Sequence, residues 1–122
     1  MGRRVLLIED EPNIIEAISV ILSRDGWTVH THADGTTAMD KVLGMPPDMI
    51  ILDVMLPGRS GFDILRDLRQ SDVTKTTPVM MLTARGQDKD RELAMRLGAN
   101  LFMTKPFSNT EVRDHVRDLM EA

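Results

Sequence analysis

The chain has 122 residues, of which 42% are hydrophobic, and it carries a formal net charge of -4 with a sequence pI near 5.3. A chain of this length can bury roughly two-thirds of its unfolded surface, so we expect one domain over residues 1–122. The acidic balance argues against a nucleic-acid-binding surface, which requires a clustered basic face. The sequence contains no cysteine, which excludes disulfides and thiolate metal sites and agrees with a reducing compartment.

The first residues of the chain do not have the pattern of a targeting segment. Only four apolar residues lie between Arg4 and Glu9, too few for a signal sequence or a membrane span. We therefore expect a cytoplasmic protein that does not insert into a membrane.

Short apolar runs alternate along the chain with longer segments of helical spacing. The runs cover residues 5–8, 27–31, 49–52, 79–82 and 101–104. Near-continuous apolar runs are typical of strands that are covered on both faces. Five such runs alternating with five helix-length segments predict an α/β fold with a doubly wound parallel sheet and helices on both of its faces.

Several residues mark the expected ends of helices. Pro12 suits the first turn of the first helix, and Gly26 suits a stop after it. Asp34 is a candidate N-cap of the second helix. Ser108 and Glu111 have the spacing of a capping box, which predicts that the last helix begins there.

Polar residues follow four of the five apolar runs. Glu9 and Asp10 follow the first run, Asp53 the third, Thr83 the fourth and Lys105 the fifth. The carboxyl ends of parallel strands meet at one edge of a sheet, where open α/β folds bind ligands. A carboxylate is a competent phosphoryl nucleophile, and clustered acids attract a cation such as Mg²⁺. The pattern predicts a magnesium-assisted phosphoryl-accepting site.

Each of these residues also has an ordinary interpretation when it is considered alone. An isolated Asp53 would be a helix cap or a charge at a strand end, and Lys105 a surface charge. Thr83 would be a β-branched strand residue. Glu11, the third acid of the first cluster, is expected to be a solvated turn residue.

Together these residues resemble the receiver domain of bacterial two-component response regulators, over essentially the whole chain. The resemblance rests on Glu9-Asp10, on Asp53 followed by Met55-Leu56-Pro57-Gly58 and Gly61, on Thr83-Ala84, and on Gly98-Ala99 leading to Lys105-Pro106-Phe107. It implies a flavodoxin-like sheet with the strand order 2-1-3-4-5.

The resemblance also implies a role for each site residue. Asp53 would be the phosphoacceptor, and Lys105 would pair with a phosphoryl oxygen. Asp10 and Asp53 would bind Mg²⁺ directly, Glu9 would act through a metal-bound water, and Met55 would contribute its backbone carbonyl.

Two further residues would form a conformational switch in this family. The hydroxyl of Thr83 would turn toward the phosphoryl group, and Phe102 would turn inward to fill the vacated space. The same resemblance implies a cis peptide bond between Lys105 and Pro106.

As a receiver, the chain would take a phosphoryl group from a sensor histidine kinase or a histidine phosphotransfer protein and control a downstream protein or an output domain. It would catalyse its own phosphorylation and dephosphorylation without being a turnover enzyme, as a monomer or a phosphorylation-dependent dimer. Family members that dimerise commonly carry an acidic pair where this chain has Asn100 and Leu101, which puts dimerisation through such charges in doubt.

Two other classes of function fit the same fold. A phosphorylation-independent interaction module would keep the sheet without the chemistry, and it predicts erosion of the acids or of Lys105. A nucleotide- or flavin-binding enzyme would need a glycine-rich phosphate-binding loop after the first strand, where this chain has Glu9, Asp10 and Glu11.

Overall fold

The computed structural model describes residues 3–84 and 88–121. In these ranges five strands alternate with five helices, as the sequence predicts. The strands are β1 (Arg4–Ile8), β2 (Thr28–His32), β3 (Met49–Asp53), β4 (Val79–Thr83) and β5 (Leu101–Thr104). The helices are α1 (Pro12–Arg24), α2 (Ala38–Gly44), α3 (Gly61–Gln70), α4 (Asp88–Leu97) and α5 (Asn109–Glu121). Trp27, expected to open β2, lies before the strand and is buried.

All the strand pairs are parallel, and the order across the sheet is β2-β1-β3-β4-β5. The order that the family resemblance implied is therefore confirmed. Strands β3 and β4 lie inside the sheet and every residue in them is buried. In the register of these two strands, Asp53 pairs with Leu82, so the end of β3 lies next to the end of β4.

The two faces of the sheet each carry a hydrophobic core, because alternate strand residues point to opposite faces. Leu6 and Ile8 pack with residues of α2, α3 and α4 on one face. Val5 and Leu7 pack with residues of α1 and α5 on the other. The doubly wound arrangement follows from these two cores.

The helix boundaries confirm most of the end signals in the sequence. Pro12 is the first residue of α1, and Gly26, two residues after the helix, has a φ of 92°. The capping box at α5 is formed in both directions. Ser108 N donates to Glu111 Oε1 at 3.0 Å, and Glu111 N donates to Ser108 Oγ at 3.0 Å.

The expected N-cap role of Asp34 is wrong. Helix α2 begins at Ala38, with Thr37 before it, and Asp34 Oδ1 instead accepts a hydrogen bond from Thr36 N at 2.9 Å. The segment is held by a tertiary contact that the sequence did not reveal, because Gly35 N donates to Pro57 O at 2.9 Å. The turn before α2 is thus fixed against the β3–α3 loop.

No helix in the part of the chain that the structure describes is long and apolar enough to cross a membrane.

Arg69 at the end of α3 joins two loops at the amino-terminal edge of the sheet. Its Nε donates to Gly98 O at 2.9 Å, and its Nη1 donates to Thr74 O at 3.0 Å. Its Nη2 donates to Asn100 Oδ1 at 3.1 Å, and the same oxygen accepts from Val79 N at 2.9 Å. Asn100 therefore has a structural use in this chain.

We predict that Arg69→Met lowers the free energy of unfolding by about 2–4 kcal/mol, because several backbone carbonyls lose a charged donor at once. Urea denaturation measures the change. Arg66→Met on the same helix is the control, since the Arg66 side chain is half exposed and makes one ion pair, with Asp63. Its effect should stay within about 0.5 kcal/mol. Equal effects of the two substitutions would contradict the role assigned to Arg69.

Candidate functional site

The polar residues predicted to share one edge of the sheet do lie together there. Glu9 follows β1, Asp53 ends β3, Thr83 ends β4 and Lys105 follows β5. Glu9, Asp53 and Thr83 are buried, whereas Asp10 is exposed. The carboxyl edge of the sheet thus holds three acids, a hydroxyl and an ammonium group.

Glu9, Asp10 and Asp53 can offer one carboxylate oxygen each to a common ion. These three oxygens lie within 4.8 Å of one another. A set of oxygen donors with access to solvent matches the preference of Mg²⁺, which keeps several waters and uses one or two protein carboxylates. The residues present therefore fit a magnesium ion.

Glu9 is fully buried, and its two oxygens have different partners. Its Oε2 accepts hydrogen bonds from Asp10 N at 3.0 Å and Glu11 N at 3.1 Å. Its Oε1 lies 2.9 Å from Lys105 Nζ in an ion pair. Two amides and one ammonium group stabilise its negative charge in the absence of water.

Lys105 lies among three acids. Its Nζ is 2.8 Å from Glu11 Oε1, 2.9 Å from Glu9 Oε1 and 3.6 Å from Asp53 Oδ2, and its side chain is 9% exposed. Burial lowers the pKa of Lys105, but hydrogen bonds to Glu11 and Glu9 and the charge of Asp53 raise it above its ordinary value overall. Glu11 is exposed, as expected of a solvated turn residue, but the fold also brings Lys105 to it.

The backbone around Lys105 is fixed to the neighbouring strand. Lys105 N donates to Thr83 O at 2.8 Å, and the peptide bond between Lys105 and Pro106 is cis, as the resemblance implied. The ammonium group is thus delivered to the acids from a backbone that is bonded to the end of β4.

The pKa of Asp53 is strongly raised. Burial and the charge of Glu9 raise the pKa of Asp53 to about 7, and the charge of Lys105 opposes that rise. Its Oδ1 accepts a hydrogen bond from Met55 N at 3.3 Å. A carboxylate with this pKa is poorly stabilised as an anion until further positive charge reaches it.

Two glycines explain the motif that follows Asp53. Gly61 N donates to Val54 O at 2.9 Å, and a Cβ on Gly61 would overlap the backbone of Asp53. Gly58 has a φ of 87° and lies against the side chain of Thr36. The loop therefore folds closely over the end of β3 and fixes the backbone beside Asp53.

Thr83 ends β4, next to the strand that carries Asp53, and Phe102 lies within β5 opposite Met81. Phe102 is 3% exposed, and the guanidinium of Arg91 on α4 lies 5.1 Å from its ring centroid. Arg91 Nη1 also donates to Phe102 O at 3.3 Å. Sequence reasoning missed Arg91, because a charged residue on an exposed helix face gives no sign of which ring it covers.

Comparison with known proteins identifies the family of this chain. The family model described as "Response regulator receiver domain" matches residues 5–117. The chain belongs to this family. It is a receiver domain of two-component response regulators, and the flavodoxin-like fold and the acids at the carboxyl edge of the sheet agree with that assignment.

Curated relatives include transcriptional regulators of different bacteria. The alkaline phosphatase synthesis transcriptional regulatory protein PhoP of Bacillus subtilis is 38% identical over 120 residues, which are 98% of this chain and 49% of that protein. The transcriptional regulatory protein TrcR of Mycobacterium tuberculosis is 42% identical over 117 residues, 96% of this chain and 45% of that protein. The chain thus spans about half the length of the curated relatives it matches.

Solved structures of free-standing and kinase-attached receivers are similar to it. The chemotaxis response regulator CheY4 of Vibrio cholerae superposes with a TM-score of 0.91 at 28% identity, over 98% of this chain and 99% of that one. The receiver domain of the sensor histidine kinase PA1611 of Pseudomonas aeruginosa has a TM-score of 0.91 at 29% identity, with full coverage of both chains. That structure contains a magnesium ion coordinated in its active-site cleft.

The raised pKa of Asp53 predicts how pH changes stability. A carboxyl whose pKa rises from its ordinary value of 3.8 to about 7 binds its proton more tightly in the folded state. Its contribution to stability is fully present below pH 4 and is lost as the pH rises through about 7.

Asp53→Asn should therefore raise the free energy of unfolding in magnesium-free buffer at pH 8 by about 1–3 kcal/mol, the usual cost of a poorly paired buried group. The gain should shrink as the pH falls toward 4. Thermal or urea denaturation across that range measures it. Asp72→Asn, which removes an acid whose side chain is 97% exposed, should give no such gain. A destabilised Asp53→Asn at pH 8 would contradict the electrostatic picture.

Proposed function

We propose that Asp53 is the phosphoacceptor of this receiver and takes its phosphoryl group from a phosphohistidine. The observation that carries the proposal is the burial of the Asp53 carboxylate at the carboxyl edge of the sheet, within 3.6 Å of the Lys105 ammonium group and beside Glu9 and Asp10. No other aspartate in the described residues has this combination of burial, neighbouring acids and a buried lysine.

The transfer is a displacement at phosphorus. An oxygen of ionised Asp53 forms a bond to phosphorus while the bond from phosphorus to the donor imidazole nitrogen breaks, and the electron pair of that bond stays on the imidazole. The Lys105 ammonium donates to a phosphoryl oxygen as a point charge. Hydrolysis by water regenerates the carboxylate, so the domain catalyses its own phosphorylation and dephosphorylation and is not an enzyme of ordinary turnover.

The cofactor we propose is Mg²⁺, bound by Asp10, Asp53, the backbone carbonyl of Met55 and, through water, Glu9. Exposed Asp10 has access to a hydrated ion, whereas Glu9 is fully buried and its Oε2 already accepts two amide hydrogen bonds, which favours an indirect role for Glu9. When bound, Mg²⁺ supplies positive charge that favours ionised Asp53 and offsets the charge of the incoming phosphoryl group. The magnesium in the PA1611 receiver supports this assignment.

Thr83 and Phe102 are proposed to form the switch that reports phosphorylation. Thr83 ends the strand next to Asp53, and its carbonyl accepts from Lys105 N. Phe102 lies on the adjoining strand under Arg91 of α4. A change at Thr83 can therefore reach α4 and β5 through adjacent packed groups, as two-state switching requires.

The proposed donor is a sensor histidine kinase or a histidine phosphotransfer protein, and the proposed target is a downstream protein or an output domain. The relatives of which this chain covers about half are named transcriptional regulators. Their names support an output segment of that kind in a longer protein. We propose that residues 1–122 act as one receiver domain in the cytoplasm, as a monomer or a phosphorylation-dependent dimer, without themselves binding nucleic acid or inserting into a membrane.

We predict that acetyl phosphate and Mg²⁺ add one phosphoryl group to the protein, as measured by intact mass. Asp53→Asn should abolish the addition, because the nucleophile is lost, and chelation of Mg²⁺ should abolish it in the parent. The control variant Asp72→Asn should be labelled like the parent. Labelling of Asp53→Asn would refute the acceptor assignment, and a parent that takes no group would favour the phosphorylation-independent interaction module.

The switch predicts a separation between modification and response. Thr83→Ala should still be phosphorylated on Asp53, but it should lose one charge-assisted hydrogen bond of about 1.5–3 kcal/mol, enough to change the ratio of active to inactive states about tenfold. Beryllofluoride with Mg²⁺ should then move the amide NMR signals of residues 93–119 less than in the parent. Thr104→Ala, at the end of the neighbouring strand, is the matched control. If these signals move as far in Thr83→Ala as in the parent, the switch lies elsewhere.

A further inference from the structure

The structure assigns a positioning role to Glu11. We propose that its carboxylate holds the Lys105 ammonium group away from Asp53 in the unphosphorylated protein, and so limits how readily the site accepts a phosphoryl group. This inference rests on the proposed function of Asp53 and Lys105. It adds to that function a residue that neither accepts the phosphoryl group nor belongs to the cluster of three metal-binding acids.

Glu11 occupies the N-cap position of α1, but its side chain makes no capping hydrogen bond. That position is normally held by a short polar side chain that accepts from the first helical amides. Here the backbone carbonyl of Glu11 accepts from Ile14 N at 3.1 Å and Ile15 N at 3.0 Å, while its carboxylate turns to Lys105. The carboxylate can therefore be changed without removing a side-chain cap from the helix.

The distances around Lys105 show that neighbouring acids compete for its ammonium group. Its Nζ lies closest to Glu11 and Glu9, at 2.8 and 2.9 Å, and farther from Asp53, at 3.6 Å. A phosphoryl group on Asp53 would require Nζ to donate to its oxygens. Any bond that Nζ keeps to Glu11 opposes the movement toward Asp53, because both acids attract the same ammonium group.

The unequal exposure of the two partners makes this contact easy to release. The Lys105 side chain is 9% exposed, whereas that of Glu11 is 56% exposed. A carboxylate that is more than half in water recovers its hydration when the pair opens, so the pair has the modest strength of an ion pair at the surface. Glu9 is fully buried and cannot be released in this way. Glu11 is therefore the adjustable one of these two partners.

Removal of the Glu11 charge would have two effects that must be separated. It would free Lys105, and it would also make the site less negative toward an anionic ligand. Only the first effect requires Lys105. The comparison of Glu11→Gln in the presence and absence of the lysine therefore distinguishes positioning from a general change of the electrostatic field.

The first experiment titrates beryllofluoride, at fixed saturating Mg²⁺, into the parent, Glu11→Gln, Lys105→Met and the double variant, and follows amide NMR signals. Glu11→Gln should lower the half-saturating concentration about two- to fivefold, the factor expected for an ion pair with one exposed partner. In the Lys105→Met background the same substitution should give a clearly smaller change, because only the effect on the electrostatic field remains. Rates of phosphorylation by acetyl phosphate should follow the same pattern.

Glu16→Gln is the matched control, because it removes the same charge from the exposed face of α1 without touching Lys105. It should bind beryllofluoride like the parent. An equal gain in Glu16→Gln, an equal gain in both lysine backgrounds, or no gain in Glu11→Gln would overturn the proposal.

A second readout needs no phosphoryl ligand. In metal-free protein, the ammonium protons of Lys105 should exchange with water faster in Glu11→Gln than in the parent, as followed by ¹⁵N NMR of Nζ. An unchanged exchange rate would overturn the proposal. A parent that takes neither acetyl phosphate nor beryllofluoride would instead contradict the proposed function, and the exchange measurement would still decide whether Glu11 holds Lys105.

Discussion

The buried contact between like charges at the carboxyl edge of the sheet constrains the rest of this site. Glu9 and Asp53 are both buried and close enough to share an ion, and the charge of Glu9 raises the cost of ionising Asp53. Lys105 offsets part of that cost, and the amides of Asp10 and Glu11 offset more. The part of this electrostatic cost that is not offset appears as the raised pKa of Asp53. The site is thus built to gain from added positive charge, which is the condition for binding a cation before a phosphoryl group arrives.

The strand order of this parallel sheet brings these groups together at one edge. The acids come from the ends of β1 and β3, which are adjacent, and Thr83 and Lys105 come from β4 and β5 on the other side. The residues of β1, β3 and β4 are largely buried, so the backbone that carries the acids and Thr83 cannot move far without disturbing the core. In the proposed function, rigid strands supply the acceptor and the metal-binding acids, while the side chain of Lys105, with its flexible stem, supplies the group that moves.

The sequence was informative wherever burial or chain-local chemistry decides the structure. Continuous apolar runs located the strands, and Ser108 with Glu111 located the start of α5, because a capping box depends on residues three apart. Asp34 was assigned wrongly because a distant carbonyl, that of Pro57, fixes its turn. The pairing of Glu11 with Lys105 and the bonds of Arg69 were also missed. Hydrophobic periodicity reports which face is buried, but it does not report which charged side chains meet across the sheet.

The contacts of Arg69 and Arg91 restrict how a signal can leave the site. Arg69 binds the carbonyl of Gly98 and the side chain of Asn100, so the turn between α4 and β5 is fixed to the end of α3. Arg91 lies about two helical turns before Gly98 and contacts the ring and the carbonyl of Phe102. The Arg69 bonds hold the carboxyl end of α4 through charged donors that are costly to break. The Arg91 contact to the ring is weaker, at about 0.5–2 kcal/mol, so a rearrangement at Thr83 and Phe102 is opposed least where α4 covers β5. If the proposed switch operates, its physical route from Asp53 to the surface runs through Phe102 and Arg91, with the turn at Gly98 as the fixed end.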